Sequence, residues 1–142
     1  MSRQRKVSRP GFSLIELLLV LVILSILAGA VALKFTGRSE QARKTVANTD
    51  ISQIATALDA FEVDNGRYPS SDEGLGALIN APGNVKNWQG PYLKKGVPKD
   101  PWGNPYVYRF PGQHNASGYD LYSTGPDGQD SAGDNINNWV QN

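Results

Sequence analysis

A chain of 142 residues is long enough for one globular domain and one extended element. It has no cysteine, which excludes disulfides and thiolate metal sites, and its formal net charge of +1 lacks the basic surplus of a nucleic-acid binder. The charge is uneven: Arg3, Arg5, Lys6 and Arg9 make the first ten residues +4 with no acid, whereas the rest carries 10 basic and 13 acidic residues.

Phe12 to Leu33 is almost entirely apolar and long enough for a membrane-spanning helix. Four positive charges before it place that end on the cytoplasmic side. The exception within the span is Glu16. A carboxylate there costs roughly 2.5–3.5 kcal/mol at mid-membrane on insertion scales, and less toward an interface. Such a cost implies a partner for the charge. Two plainer readings stay open on the residues alone: a secretory signal, with Ala28-Gly29-Ala30 as a small-residue cleavage site, and an uncleaved anchor. Against the signal stand the length of the apolar run, Glu16 itself and a helical pattern that continues past Ala30.

From Lys34 the pattern becomes amphipathic. Ala47, Ile51, Ile54, Leu58 and Phe61 recur at helical spacing and form one apolar stripe. No proline occurs between Gly11 and Pro69, so one helix is expected from about Phe12 to about Asp64, stopped by Asn65-Gly66. A short helix is expected over Glu73–Ile79, capped by Ser70 or Ser71, with Leu75, Leu78 and Ile79 facing inward. Asp100-Pro101-Trp102-Gly103-Asn104-Pro105 reads as tight turns around one aromatic. Tyr106–Phe110 and Tyr119–Ser123 read as an antiparallel hairpin, with a third short strand near Ile136–Val140. Trp88, Trp102 and Trp139 are expected in the core of so small a domain.

Two groups of polar residues invite chemistry. His114 lies near Ser117 and Asp120 in sequence, but adjacency in sequence is no evidence for a catalytic triad. The second group follows Ser123. Asp127, Asp130 and Asp134 alternate with Gly125, Gly128 and Gly133, and no Lys or Arg follows Arg109. Hard oxygen donors on a flexible loop suit Ca²⁺, though the spacing is not that of an EF-hand. On the residues alone, a solvated acidic turn is the plainer reading and stays open.

The basic leader, Gly11-Phe12-Ser13-Leu14-Ile15-Glu16 and the apolar helix resemble the processing signal of type IV pilins and type II secretion pseudopilins. Asn65-Gly66-Arg67-Tyr68-Pro69, Gly90-Pro91-Tyr92-Leu93, Asp100-Pro101-Trp102-Gly103-Asn104-Pro105-Tyr106 and Ser123-Thr124-Gly125-Pro126-Asp127-Gly128 narrow the resemblance to the major pseudopilins of type II secretion. The absence of cysteine also favours them over type IV pilins, which usually carry a C-terminal disulfide loop. The resemblance implies an α+β, type IV pilin-like fold: a long N-terminal helix, transmembrane in its first half, packed on a small antiparallel sheet with a calcium-binding C-terminal loop. It implies a leader over residues 1–11, a transmembrane and filament-core half over 12–36, and a periplasmic globular domain over 37–142.

By the same resemblance, a prepilin peptidase cuts between Gly11 and Phe12 and N-methylates Phe12. The new amine is then paired with Glu16 of a neighbouring copy. Asp127 and Asp134 supply carboxylates to Ca²⁺, and backbone carbonyls near Thr124, Gln129 and Ile136 complete the shell, while Asp130 faces solvent. The implied role is structural, not enzymatic: a single-pass inner-membrane subunit that polymerises into a short periplasmic helical filament and drives folded proteins through the outer membrane. Implied partners are copies of itself, minor pseudopilins, the peptidase, an inner-membrane assembly platform and an assembly ATPase, with no nucleic acid. The alternatives are a type IV pilin of an extracellular fibre for adhesion, motility or DNA uptake, and a membrane-anchored periplasmic binding domain.

Overall fold

A computed structural model describes residues 11–130 and 133–139. The leader residues before Gly11 and the expected strand end at Val140 lie outside that range. The chain divides into two compact units, Met1–Ser39 and Glu40–Asn142. One helix, α1, runs over Leu14–Asn65, as the uninterrupted pattern requires.

In the first unit, Leu14–Val31 is an 18-residue stretch long and apolar enough to cross a membrane, and none of it is buried within the chain. Leu14, Ile15, Leu18, Leu21 and Ile26 are all exposed. Within it, Ser25 Oγ donates to the Leu21 carbonyl at 2.7 Å, so this hydroxyl is satisfied by its own helix.

In the second unit α1 is amphipathic. Ala47, Ile51, Ile54, Leu58 and Phe61 are buried, and Ala57 joins them. The exposed side carries a succession of polar residues bonded to their own helix: Thr45 to Gln41 O, Thr49 to Thr45 O, Ser52 to Asn48 O and Thr56 to Ser52 O. The helix ends where Gly66 takes a positive φ of 72° and donates its N–H to Glu62 O at 2.7 Å, a left-handed stop that glycine adopts without strain.

The expected short helix is a single 3₁₀ turn, η1, over Gly74–Leu78. Leu75 and Leu78 are buried as expected, but Ala77 is buried with them and Ile79 is only partly covered. The tighter three-residue turn aligns 75 with 78 and leaves 79 off that face. The residue that caps η1 is Glu73, not Ser70 or Ser71 as expected; Ser70 sits one turn earlier, where its hydroxyl accepts from Glu73 N at 3.2 Å and its N–H donates to the Glu73 carboxylate at 2.7 Å. Ser71 instead binds Phe110, whose N–H donates to its hydroxyl at 2.9 Å.

Strands β1 (Val107–Arg109), β2 (Asp120–Ser123) and β3 (Ile136–Asn137) form an antiparallel sheet in the order β1-β2-β3. Tyr108 pairs with Leu121, Val107 with Tyr122, and Tyr122 with Asn137. Because side chains alternate across a strand, Tyr108, Leu121 and Ile136 reach the core with the α1 stripe, Leu75 and Leu78. Arg109, Asp120 and Tyr122 occupy the opposite face. All four β2 residues are nevertheless buried, so this second face is covered too.

Candidate functional site

Three regions hold the residues singled out from sequence. The first is the start of α1. Ser13 Oγ accepts from Glu16 N at 3.3 Å, and the Glu16 carboxylate turns back toward Ser13 N at 3.5 Å. This is a capping-box arrangement, with a weak return arm at that distance. Within one chain, then, Glu16 has a local role at the helix N-terminus, where a negative charge also suits the helix dipole. The contact is exposed, and Phe12 and Leu14 around it are more than four-fifths exposed. Gly11 and Phe12 precede the helix without regular secondary structure and are exposed.

The second region is the segment from Thr124 to Ile136. Gly125 and Gly128 both have positive φ, which fits the turn after β2 to glycine. At Gly125 a Cβ would lie 2.8 Å from the Asp134 carbonyl oxygen and 3.2 Å from its carboxylate Oδ2. Only glycine lets the outgoing and returning chain meet there. The structure therefore brings Asp134 to the residue after Thr124. Thr124 and Ile136 are both buried, at the two chain positions that flank this meeting point. Asp127 uses Oδ1 to accept from Gln129 N at 2.9 Å, closing its own turn. Asn135 Oδ1 is buried with no hydrogen-bond partner among the described residues, a carbonyl-type oxygen left over beside Asp134.

The acids and carbonyls of this segment are hard oxygen donors, the type that Ca²⁺ prefers, and of the two acids singled out it is Asp134 that the structure brings to Gly125. Among the described residues no three His, Cys, Asp or Glu side chains gather for a metal. A two-carboxylate site completed by carbonyls does not need them.

Asp130 is exposed, as expected, but it is not without partners. Its Oδ2 is 3.0 Å from Arg109 Nη2 and accepts from the Tyr122 hydroxyl at 2.8 Å. No cation lies near these acids in sequence, but the fold returns Arg109, 21 residues earlier, to Asp130. Burial, first, and the bond to Asp130 push the Tyr122 phenol up to about 12, so it remains a donor.

The third region anchors the second, and sequence reasoning missed most of it. The Asp100 turn is built by Oδ1, which accepts from Trp102 N and Asn104 N, while Oδ2 accepts from Ser123 Oγ at 2.6 Å. Ser123 Oγ then accepts from Gly125 N, and Asn104 Nδ2 donates to Gly125 O. The tight-turn motif thus holds the start of the loop. Asp120 performs the same service for the β1–β2 connection. Burial opposes its ionisation, but the backbone N–H groups of His114, Asn115 and Gln113 outweigh that and hold its carboxyl below the ordinary range. His114 Nδ1 lies 3.2 Å from it. The His114 ring stacks on Trp139 at 4.1 Å, so Trp139 covers the sheet's second face and is not part of the core, unlike Trp88 and Trp102, which pack against it.

Two family profiles match this chain. That of type II secretion system protein G matches residues 34–141, and the prokaryotic N-terminal methylation motif matches residues 8–32. The chain belongs to the protein G family of type II secretion, the major pseudopilins. It is 50% identical over 136 residues to the type II secretion system core protein G of Pseudomonas aeruginosa, covering 91% of this chain and 94% of that protein. Its identity to the Escherichia coli core protein G is 42% over 133 residues, covering 91% and 90%. The crystal structure of the major pseudopilin from the type 2 secretion system of enterohaemorrhagic E. coli aligns with a TM-score of 0.64 at 33% identity, over 72% of this chain and 87% of that one. This family is one of structural subunits of a self-polymerising pseudopilus. The apolar helix and methylation motif mark a membrane-anchored component of the system.

Proposed function

We propose that this major pseudopilin is inserted in the bacterial inner membrane with its C-terminal domain in the periplasm. It is cut between Gly11 and Phe12, N-methylated at Phe12, and polymerised into a short periplasmic filament that drives folded proteins through the outer membrane. The prepilin peptidase, an assembly platform with its ATPase and minor pseudopilins are the partners this reading requires. The observation that carries it is Glu16 at the head of a wholly exposed apolar helix. Cleavage creates a cationic amine at Phe12, four residues before a carboxylate that accepts one long, exposed contact from Ser13 N at 3.5 Å. In a filament the Glu16 carboxylate exchanges that weak contact for the amine of a neighbour. A charge pair satisfied on both sides is tolerated in apolar surroundings where either charge alone is not.

We further propose that Asp127 and Asp134, with carbonyls near Thr124, Gln129 and Ile136, hold Ca²⁺. The meeting of Asp134 with Gly125 supports this reading. The ion supplies positive charge between two carboxylates and closes the loop. Binding to the folded loop alone stabilises it by about 2.7 kcal/mol at a hundredfold excess over Kd.

The test of the assembly role is Glu16→Ala in the full-length protein at wild-type level. Membrane insertion is expected to persist, since the change removes a charge from an apolar span. Filaments and exoprotein secretion are expected to be lost. Normal filaments in that variant would sink the proposal.

A further inference from the structure

On the sheet face opposite the hydrophobic core, one carboxylate oxygen collects two donors from two strands. Asp130 Oδ2 receives Arg109 Nη2 from β1 and the Tyr122 hydroxyl from β2. The Arg109 guanidinium also lies 5.8 Å from the Tyr122 ring centroid, and the edge of that ring meets Trp139. Tyr122 is 2% exposed, so its ring is packed into the fold.

We propose that Arg109 and Tyr122 hold Asp130 as an anchor that pre-shapes the loop after β2 for its cation, so that Asp130 is a positioning residue and not a ligand. This rests on the calcium reading above. Three features support it. The oxygen nearest the sheet already serves two donors. Asp130 stands between Asp127 and Asp134, so tying it down shortens the free chain on both sides of it, and ordering a shorter segment costs less when the cation binds. Gly125, Gly128 and Gly133 make that saving larger, because glycine loses the most conformational freedom on ordering. Finally, Arg109 offsets the charge of Asp130, which lowers the repulsion among three acids before any cation arrives.

If Asp130 were a third ligand, Arg109 and Tyr122 would compete with the cation for it, and removing either would strengthen binding. If it is an anchor, removing either weakens binding. Calcium titration of the full-length protein in detergent micelles separates the two. Tyr122→Phe keeps the ring and loses only the hydroxyl; Arg109→Gln loses the charge; Asp130→Asn keeps an acceptor and loses the ion pair. Each is expected to weaken calcium affinity about three- to tenfold, the range of one exposed ion pair or hydrogen bond. The Arg109→Gln/Asp130→Asn double variant is expected to be no weaker than the worse single variant, because both remove one interaction. Tighter binding in Tyr122→Phe or Arg109→Gln, or abolished binding in Asp130→Asn, overturns the proposal. Hydrogen exchange of the loop in EDTA reads the anchor without the metal: amides from Gly125 to Asp130 are expected to exchange faster in all three variants. Unchanged exchange overturns the anchor itself. A wild-type protein that binds no calcium while exchange still rises removes the calcium reading, and the positioning role with it.

Discussion

The two halves of α1 are made of the same aliphatic residues and meet opposite fates. Over Leu14–Val31 none of the apolar stretch is buried within the chain; from Glu40 onward the stripe Ala47, Ile51, Ile54, Leu58 and Phe61 is buried almost completely. Hydrophobicity alone does not explain this, since Leu and Ile occur in both. Distribution does. Where apolar side chains occupy every face of a helix, no single sheet can cover them, and the cover must come from lipid or from other chains. Where they occupy one stripe, a small domain suffices. Polar groups divide in the same way. In the second half, Thr and Ser hydroxyls return to their own backbone and charges face out. In the first half a single carboxylate, Glu16, is left at the end of an apolar span.

The comparison can be broken most severely at Glu16. Glu16→Ala is expected to abolish filaments while leaving the thermal stability of the Glu40–Asn142 unit unchanged, because Glu16 belongs to the other compact unit. Circular dichroism melts beside filament counts check this; a lowered melting temperature would mean the two halves are not independent. Next in size is the core. Phe61→Ala removes a fully buried ring and is expected to cost about 3–5 kcal/mol in chemical denaturation, whereas Leu18→Ala in the first half is expected to leave the domain's unfolding midpoint where it was.

Acid provides a third comparison. The Arg67 hydrogen bonds, against the opposing effect of burial and aided by Ser70 N, hold the Glu73 carboxyl down from its usual 4.5 to about 2. A carboxyl with a depressed folded-state value stabilises the fold above its unfolded value and loses that contribution as pH falls through the folded one. Stability is therefore expected to fall from about pH 4.5 toward pH 2, and Glu73→Gln is expected to flatten part of that slope. A smaller effect belongs to the loop proposed to bind calcium. Melting of the full-length protein in detergent is expected at lower temperature in EDTA, to recover with calcium and to recover poorly with magnesium, which demands a tighter octahedral shell. Asp127→Ala and Asp134→Ala are expected to remove that response; equal melting in EDTA and millimolar calcium would mean a solvated turn.

Much of this was legible from residue order. The helix, its stop at Asn65-Gly66, the buried stripe, the hairpin and the third short strand all rest on local signals: periodicity, glycine and proline placement, and β-branched or aromatic runs. What stayed hidden depends on residues far apart in the chain. Asp100 reaches Ser123 across 23 positions and Arg109 reaches Asp130 across 21. No periodicity marks such pairs, because they exist only once β1 and β2 have paired. Trp139 was misplaced for a related reason: an aromatic near a strand end reads as core, and only the pleat decides that it covers the other face. At the site itself, the glycines and acids of residues 125–134 announced a loop with oxygen donors. They did not announce that Gly125 is the residue against which Asp134 closes, or that Asp130 is drawn back to the sheet.

The central claim is that the exposed first half of α1 is covered by copies of itself. The chain has no cysteine, so introduced pairs report without background. One cysteine at Leu17 combined with a second at Leu24, Leu27 or Val31 samples head-to-tail contacts between neighbours, which propagate beyond dimers only if the interface repeats. Oxidation in membranes of secreting cells is expected to give a ladder of multimers in at least one pairing, and that ladder is expected to vanish when Glu16→Ala is added. Monomers and dimers alone across all pairings, in cells that still secrete, would contradict the account.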